Sequence, residues 1–213
     1  MAGYDVIFHF LGTGLIEVIR LVPICVVLSL IAGALIGIVQ TVRIPVVNQL
    51  ISVYLVFMRG VPPLLLLLVV FFVAGFESAR LSAVFTLSIY HAAYIAEIFR
   101  GGIQAIPLGQ FEAADTLALR FHRKMIDVII PQVWRAILPA LTGQYIILIK
   151  DTALVSAIGV MEILYNARQA MQVVYKPILI YAIVGLLFYI LCFSLERLSA
   201  YFERHLQTMQ GVQ

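Results

Sequence analysis

Apolar residues along the chain come in five long runs, at about 15–40, 50–76, 81–99, 137–160 and 178–199. A helix needs about 20 mainly apolar residues to cross a bilayer, and each run has roughly that length. The pattern predicts five transmembrane helices joined by short polar turns. In the second run, Arg59-Gly60-Val61-Pro62-Pro63 interrupts the apolar residues. Proline removes a backbone donor and clashes with the preceding turn, so a kink or break is expected there. The first run carries Gly33 and Gly37 one turn apart, a spacing that lets a second helix approach closely in lipid. Chance in a Gly/Ala-rich segment would give the same pattern. The residues 161–177 read as a loop, and 201–213 as a polar tail.

One stretch does not fit the pattern of runs and turns. Residues 109–132 read GQFEAADTLALRFHRKMIDVIIPQ. Ala114, Leu117, Ala118, Phe121, Met125 and Val128 recur at one-face helical spacing, and most of the charges lie off that stripe. Acids come first and bases later, which suits the helix dipole. Arg123 and Asp127 are spaced to pair across one turn. The prediction is an amphipathic helix over about 109–123, then a second helix leading to Pro131, with Pro107 and Pro131 as boundaries. Such a helix can lie at the lipid interface or dock a soluble partner. Its alanine-rich stripe and its tethering to two spans favour docking.

Composition supports the membrane reading. The chain is 63% hydrophobic and 12% charged, against about 45–50% and about 25% in soluble domains. Its 213 residues make one unit. The net charge of +3 and the lack of a long basic run give no support to a nucleic-acid partner. Cys25 and Cys192 sit inside apolar runs and read as small buried hydrophobes; no metal-ligand spacing is present. No basic residue precedes the first run, so a cleaved secretory signal is not expected. Five spans place the termini on opposite sides. Arg43, Arg100, Arg120, Arg123, Lys124, Arg135, Arg197 and Arg204 fall on one side, and Arg80, Arg168 and Lys176 on the other. Positive charge marks the cytoplasmic side. The N-terminus is then outside, and the C-terminus and residues 109–132 are inside.

Polar residues within the spans are the candidate transport chemistry, since charges in a bilayer face the bundle interior or a wet path. Lys150 and Asp151 lie near the middle of the fourth run. They either line a path or form an ion pair with Arg59 or Glu97. Tyr90, His91 and Tyr94 form a polar stripe on the third span and point to a path lining, with a hydrogen-bonded bundle histidine as the structural alternative. Gln144 is a weaker path candidate. Glu97 and Arg100 are spaced to brace the start of the polar loop, and Arg59 and Pro62 to brace or gate at the break. Glu17 and Arg20 share one face of the first span.

These residues resemble a known family. Glu112-Ala113-Ala114, then Ala118, then Val128-Ile129-Ile130-Pro131 are similar to the EAA loop of ABC-importer permeases: EAA, three residues, Gly, nine residues, then I-x-L-P. Arg59-Gly60-Val61-Pro62-Pro63-Leu64 resembles the R-G-T-P-L-L of polar amino-acid permeases. Ala93-Tyr94-Ile95-Ala96-Glu97-Ile98-Phe99-Arg100-Gly101-Gly102-Ile103 resembles their A-Y-x-A-E-x-x-R-G-G-I. Lys150-Asp151-Thr152 and Ser156-Ala157-Ile158-Gly159 also match. The first span is the least family-like part.

The resemblance implies an all-α, five-span type I permease of the bacterial cytoplasmic membrane. Its coupling loop spans about 103–134, with Gly109, Glu112, Ala113, Ala114, Ala118, Arg120 and Pro131 at the ATPase contact. The implied partners are two cytoplasmic ATP-binding subunits, a second permease (the same chain or a sister) and an external substrate-binding protein. ATP and Mg²⁺ would be bound by the ATPase; this chain has no G-x-x-x-x-G-K-[ST] and is not expected to act as an enzyme. The cargo would be a polar amino acid, or alternatively an opine, an amine or an amino-acid derivative. A stand-alone secondary transporter would show inverted repeats, and none appears. With alanine at 118 in place of the family's glycine, the helix is expected to continue past Leu117.

Overall fold

The structure, a computed structural model, describes residues 2–42 and 44–208; Met1, Arg43 (one of the bases counted above) and 209–213 of the polar tail lie outside it. Regular structure among the described residues is helical throughout: α1 Ala2–Val39, α2 Pro45–Gly60, α3 Pro63–Val73, α4 Ala79–Gln104, α5 Leu108–Thr116, α6 Phe121–Arg123, α7 Ile130–Asp151, α8 Ile163–Val173 and α9 Pro177–Thr208. Short 3-10 turns occupy Gln40–Val42 and Thr152–Ile158, and a π-helix occupies Lys124–Ile129. Four helical stretches are long and apolar enough to cross a membrane, and the bent pair α2–α3 makes a fifth.

The α2–α3 break falls where the prolines require it. A residue before proline is pushed out of the helical region. Val61 precedes Pro62 and sits at φ −95, ψ 133; Pro62 precedes Pro63 and sits at φ −57, ψ 133. Two successive extended residues turn the chain by 108°.

The first span begins earlier than the apolar run suggests. α1 has 38 residues, about 57 Å at ~1.5 Å per residue, well beyond the ~30 Å hydrocarbon core. Tertiary packing carries the extra turns. Ile7, Leu11 and Val18 are buried in one cluster with Ile163, Ala167 and Ala170 of α8 and Ile180 and Val184 of α9. Gly14 sits at the crossing, where an added Cβ would lie 2.7 Å from Ile163 Cα. Glu17 pairs with Arg80 at 2.9 Å, a partner on α4 rather than its helix neighbour Arg20.

The expected loop 161–177 contains a helix, α8. Glu162 caps it, accepting 2.8 Å hydrogen bonds from the backbone N–H groups of Leu164 and Tyr165. Ile163, Ala167 and Ala170 give it a buried face. Glu162 is itself fully buried, and burial pushes its carboxyl up to about 7 against the pull of those two N–H donors.

α4 is the central post of the bundle, packed against α1, α2, α3 and α7. Leu87 and Ala83 join the apolar cluster of Leu21, Leu67 and Leu148. Ile95, Phe99 and Ile103 join that of Ile129, Val133, Ile137 and Leu141. The fourth run also differs from its reading. α7 ends at Asp151 and tightens to a 3-10 turn that stops at Gly159 with φ +88. Lys150 and Asp151 therefore mark the point where α7 passes into the 3-10 turn, inside the single helical stretch Phe121–Ile158.

Candidate functional site

Polar residues along one face of α4 form a connected track. Positions 90, 94, 97, 100 and 104 are three or four apart and so share a face. The Tyr90 and Tyr94 hydroxyls are 3.1 Å apart. The Arg59 guanidinium, brought in from the last turn of α2, stands 5.8 Å from the centre of the Tyr94 ring and 3.7 Å from Glu97. Arg100 donates to both Glu97 oxygens, at 3.3 and 2.7 Å, and to Gln104 at 3.0 Å. The α2–α3 break matters here because it ends α2 with Arg59 facing this track. Alongside it runs an open groove of about 650 Å³ lined by Gln40, Asn48, Ser52, Arg59, Glu97 and Arg100. The Gln40 Oε1 and Asn48 Oδ1 acceptors on that wall are buried and have no partner among the described residues. The bracing residues and the two tyrosines thus belong to one surface.

The other path candidates separate. His91 is fully buried, with Nδ1 2.7 Å from the Gln144 amide nitrogen. Its Nε2 lies 3.4 Å from Asp151 Oδ2, close enough for attraction but out of line for a hydrogen bond. Gln144 is also buried. The path-lining reading of His91 and Gln144 is corrected: in this chain they form an internal polar cluster that joins α4 to the end of α7, the hydrogen-bonded alternative. The ion pair of Lys150–Asp151 with Arg59 or Glu97 does not form, because Arg59 and Glu97 pair with each other. Consecutive helix positions point about 100° apart, so Lys150 faces away from Asp151. It lies in a separate groove of about 640 Å³ between α7 and α9, with Tyr189, Cys192 and Glu196.

The EAA-like segment is a short helix with two different faces. Pro107 caps α5. Ala114 is buried, while Leu108 (76% exposed), Leu117 (73%), Gly109, Glu112 and Ala113 face outward. The single continuous stripe is corrected, because the helix breaks after Leu117. Ala118 has φ +53, the Ala118 N–H donates to the Asp115 carbonyl and the Leu119 N–H to the Ala114 carbonyl. This is a left-handed Schellman cap, which glycine forms without strain. Alanine keeps the break because both bonds satisfy carbonyls that would otherwise be orphaned. The backbone then runs extended at exposed Arg120 and re-enters helix at Phe121. Ala118→Gly relieves about 1 kcal/mol of left-handed strain. It should raise the thermal midpoint of the purified protein by a few degrees, measured by scanning fluorimetry; a lower midpoint would contradict the geometry.

Pro131 is not the expected boundary. Helix runs from Phe121 through the π-segment into α7, and Pro131 sits in the first turn of α7. The missing proline N–H leaves the Asp127 carbonyl without its α-helical donor, and the wider π-turn accommodates the ring. Arg123 and Asp127 form the expected pair at 3.3 Å. Sequence reading missed two contacts here. Lys124 pairs with Asp115, and the Gln132 amide donates to Gln110 at 3.2 Å. The pairs are 9 and 22 residues apart and join segments on either side of the break, beyond the reach of one-turn spacing rules.

Residues 29–208 match the family described as "Binding-protein-dependent transport system inner membrane component". The chain belongs to this family. The match leaves out the first part of α1, the part that least resembled the family's pattern. The permease is 31% identical to the arginine transport system permease protein ArtQ of Bacillus subtilis over 204 residues, 93% of each protein. It is 33% identical to the amino-acid ABC transporter permease YhdY of Escherichia coli over 189 residues, covering 83% of this chain but spanning only 51% of YhdY. A solved structure described as an amino acid ABC transporter with histidines superimposes with a TM-score of 0.83 at 32% identity, over 92% of this chain and 94% of the other. An inward-facing MetNI methionine transporter chain gives 0.76 at 18% identity, over 93% and 96%, and so shows the shared fold alone. The permease is a multi-pass protein of the cytoplasmic membrane.

Proposed function

We propose that this permease is the transmembrane subunit of an ATP-driven importer for a polar amino acid, coupled to cytoplasmic ATPase subunits through α5. The observation that carries the reading is the outward face of α5. Leu108, Glu112, Ala113 and Leu117 stand exposed on a helix held between two spans, available to a soluble partner. The α4 track, with Tyr94, Arg59, Glu97 and Arg100 beside an open groove, supplies charged and polar groups of both kinds, as passage of a zwitterion requires. Relatives named for arginine, glutamine and glutamate transport support an amino-acid cargo. Positive charge around α5–α7 supports a cytoplasmic location for that end, with the N-terminus outside.

In this reading ATP and Mg²⁺ belong to the ATPase partner, hydrolysis takes place there, and an external binding protein delivers the cargo. The test is reconstitution in proteoliposomes with the ATPase and binding protein. Uptake of L-arginine, L-glutamine or L-glutamate should require ATP and all components. Uptake by the permease alone would overturn the proposal.

A further inference from the structure

We infer that Asp115–Lys124 and Gln110–Gln132 fasten α5 lengthwise onto the α6–α7 rod, so that the coupling helix moves with the fourth span and not with the third. The inference rests on the coupling reading above and specifies its mechanics.

The two polar contacts lie near opposite ends of α5. Gln110 is in its first turn and meets Gln132 of α7; Asp115 is in its last turn and meets Lys124 at the start of the π-segment. The order along the rod is reversed, so α5 runs antiparallel to it. Between the two ties Ala114 is buried, and Met125 and Ile129 are buried on the rod. The Lys124 side chain is 16% exposed and that of Asp115 60%, so the pair closes the rim of the contact with its carboxylate in water. Gln132 is fixed further by donating to the Val128 carbonyl at 2.8 Å. Two ties and a close apolar contact prevent α5 from pivoting on the rod.

On its other side α5 leaves a gap towards α4, with Phe111 alone resting on the apolar cluster that α4 shares with the rod. Its connection to α4 is the short segment 105–107 ending in Pro107. A cavity of about 360 Å³ separates Leu108 and Phe111 of α5 from Gln104 and Arg100 of α4 and Gln40 and Thr41 beyond α1. A push on the outward face of α5 is therefore delivered along α7, towards His91–Gln144–Asp151 at its far end, while the gap lets α5 shift against α4. Asp115, Lys124, Gln110 and Gln132 are positioning residues: they transmit motion and need not touch cargo.

The experiment uses the complete transporter in a Cys192→Ser background. Basal ATP hydrolysis is compared with hydrolysis stimulated by binding protein loaded with L-arginine, L-glutamine or L-glutamate. Gln110→Cys/Gln132→Cys joined by a short bis-thiosulfonate should retain stimulation, since the joined parts move together. Gln104→Cys/Leu108→Cys joined across the gap should lose it. The double variant Gln110→Ala/Asp115→Ala should lower stimulation roughly fivefold at unchanged complex yield, the order expected of contacts that link coupled sites. Asp115→Lys/Lys124→Asp should restore most of what Asp115→Lys alone removes. Arrest by the 110–132 cross-link, or full stimulation in the double alanine variant, overturns the inference while the coupling reading stands. If the unmodified complex shows no stimulation, the coupling reading fails and takes the inference with it.

Discussion

Glu112→Lys is expected to abolish ATP-driven uptake, by at least about tenfold, while the permease still inserts and folds. The Glu112 side chain is exposed, and within the described residues it contributes only its backbone carbonyl, which accepts from Thr116 Oγ1 at 2.9 Å. Substitutions at such positions change stability by about 0.5 kcal/mol or less. The fold therefore gives no reason for a carboxylate there. An ATPase cleft does: a carboxylate flanked by exposed Leu108 and Leu117 reads as a charged anchor inside an apolar contact. Inverting a charge in such an interface costs roughly 2–5 kcal/mol, and about 1.4 kcal/mol is already tenfold. Co-purification of the ATPase, uptake in proteoliposomes and membrane yield separate the outcomes. Undiminished uptake by Glu112→Lys would remove α5 from the coupling role. Glu112→Gln keeps the shape and loses the charge, and should fall between.

Most of the bundle was legible in the sequence because lipid imposes a simple rule. Five apolar runs gave five spans, and the adjacent prolines gave the break at Val61–Pro62. The errors share a physical cause, namely contacts between elements distant in sequence. Nothing near Ala2–Gly14 reads as a span, yet burial of Ile7 and Leu11 against α8 and α9 extends α1 by four turns. α8 is short and polar on one side, but Glu162 as cap and Ile163, Ala167 and Ala170 at helical spacing were a usable signal. At Ala118 the family pattern itself held the signal. A glycine position marks a left-handed turn, and an alanine placed there adopts that turn instead of removing it.

The site was legible in part. Spacing along one helix grouped Tyr90 with Tyr94 and paired Glu97 with Arg100, and the structure joins the two groups into one track through Arg59. Spacing could not tell that the next residue on α4, His91, faces inward, because burial depends on where α7 crosses. Nor could it pair Asp115 with Lys124 across a break that the sequence reading did not place.

The second large effect concerns the α1–α4 crossing. Gly33→Leu/Gly37→Leu is expected to lower the yield of folded permease by at least about tenfold. A Cβ at Gly33 would lie 2.6 Å from Ile95 Cβ and 2.9 Å from the Ala92 carbonyl oxygen; one at Gly37 would lie 2.7 Å from the Ala96 carbonyl oxygen and 2.7 Å from Phe99 Cβ. These neighbours are backbone or the first carbon of a side chain on a fully packed helix, so they cannot swing away. Helix–helix contact in lipid depends on such close packing, because no hydrophobic drive pushes the helices together there. A single methyl gains about 1 kcal/mol of helix propensity over glycine and loses about 1–3 kcal/mol to overpacking, so Gly→Ala is already destabilising on balance. Leucine adds three more carbons at each of two consecutive turns, and the helices must separate. The loss should then exceed about 5 kcal/mol, the lower end of typical total stability. Gly12, on the same helix with nothing within 4 Å of its added Cβ, provides the control. Gly12→Leu should express and fold normally as measured by size-exclusion yield in detergent. Normal yield from the Gly33/Gly37 double variant would mean that α1 and α4 do not cross at these glycines.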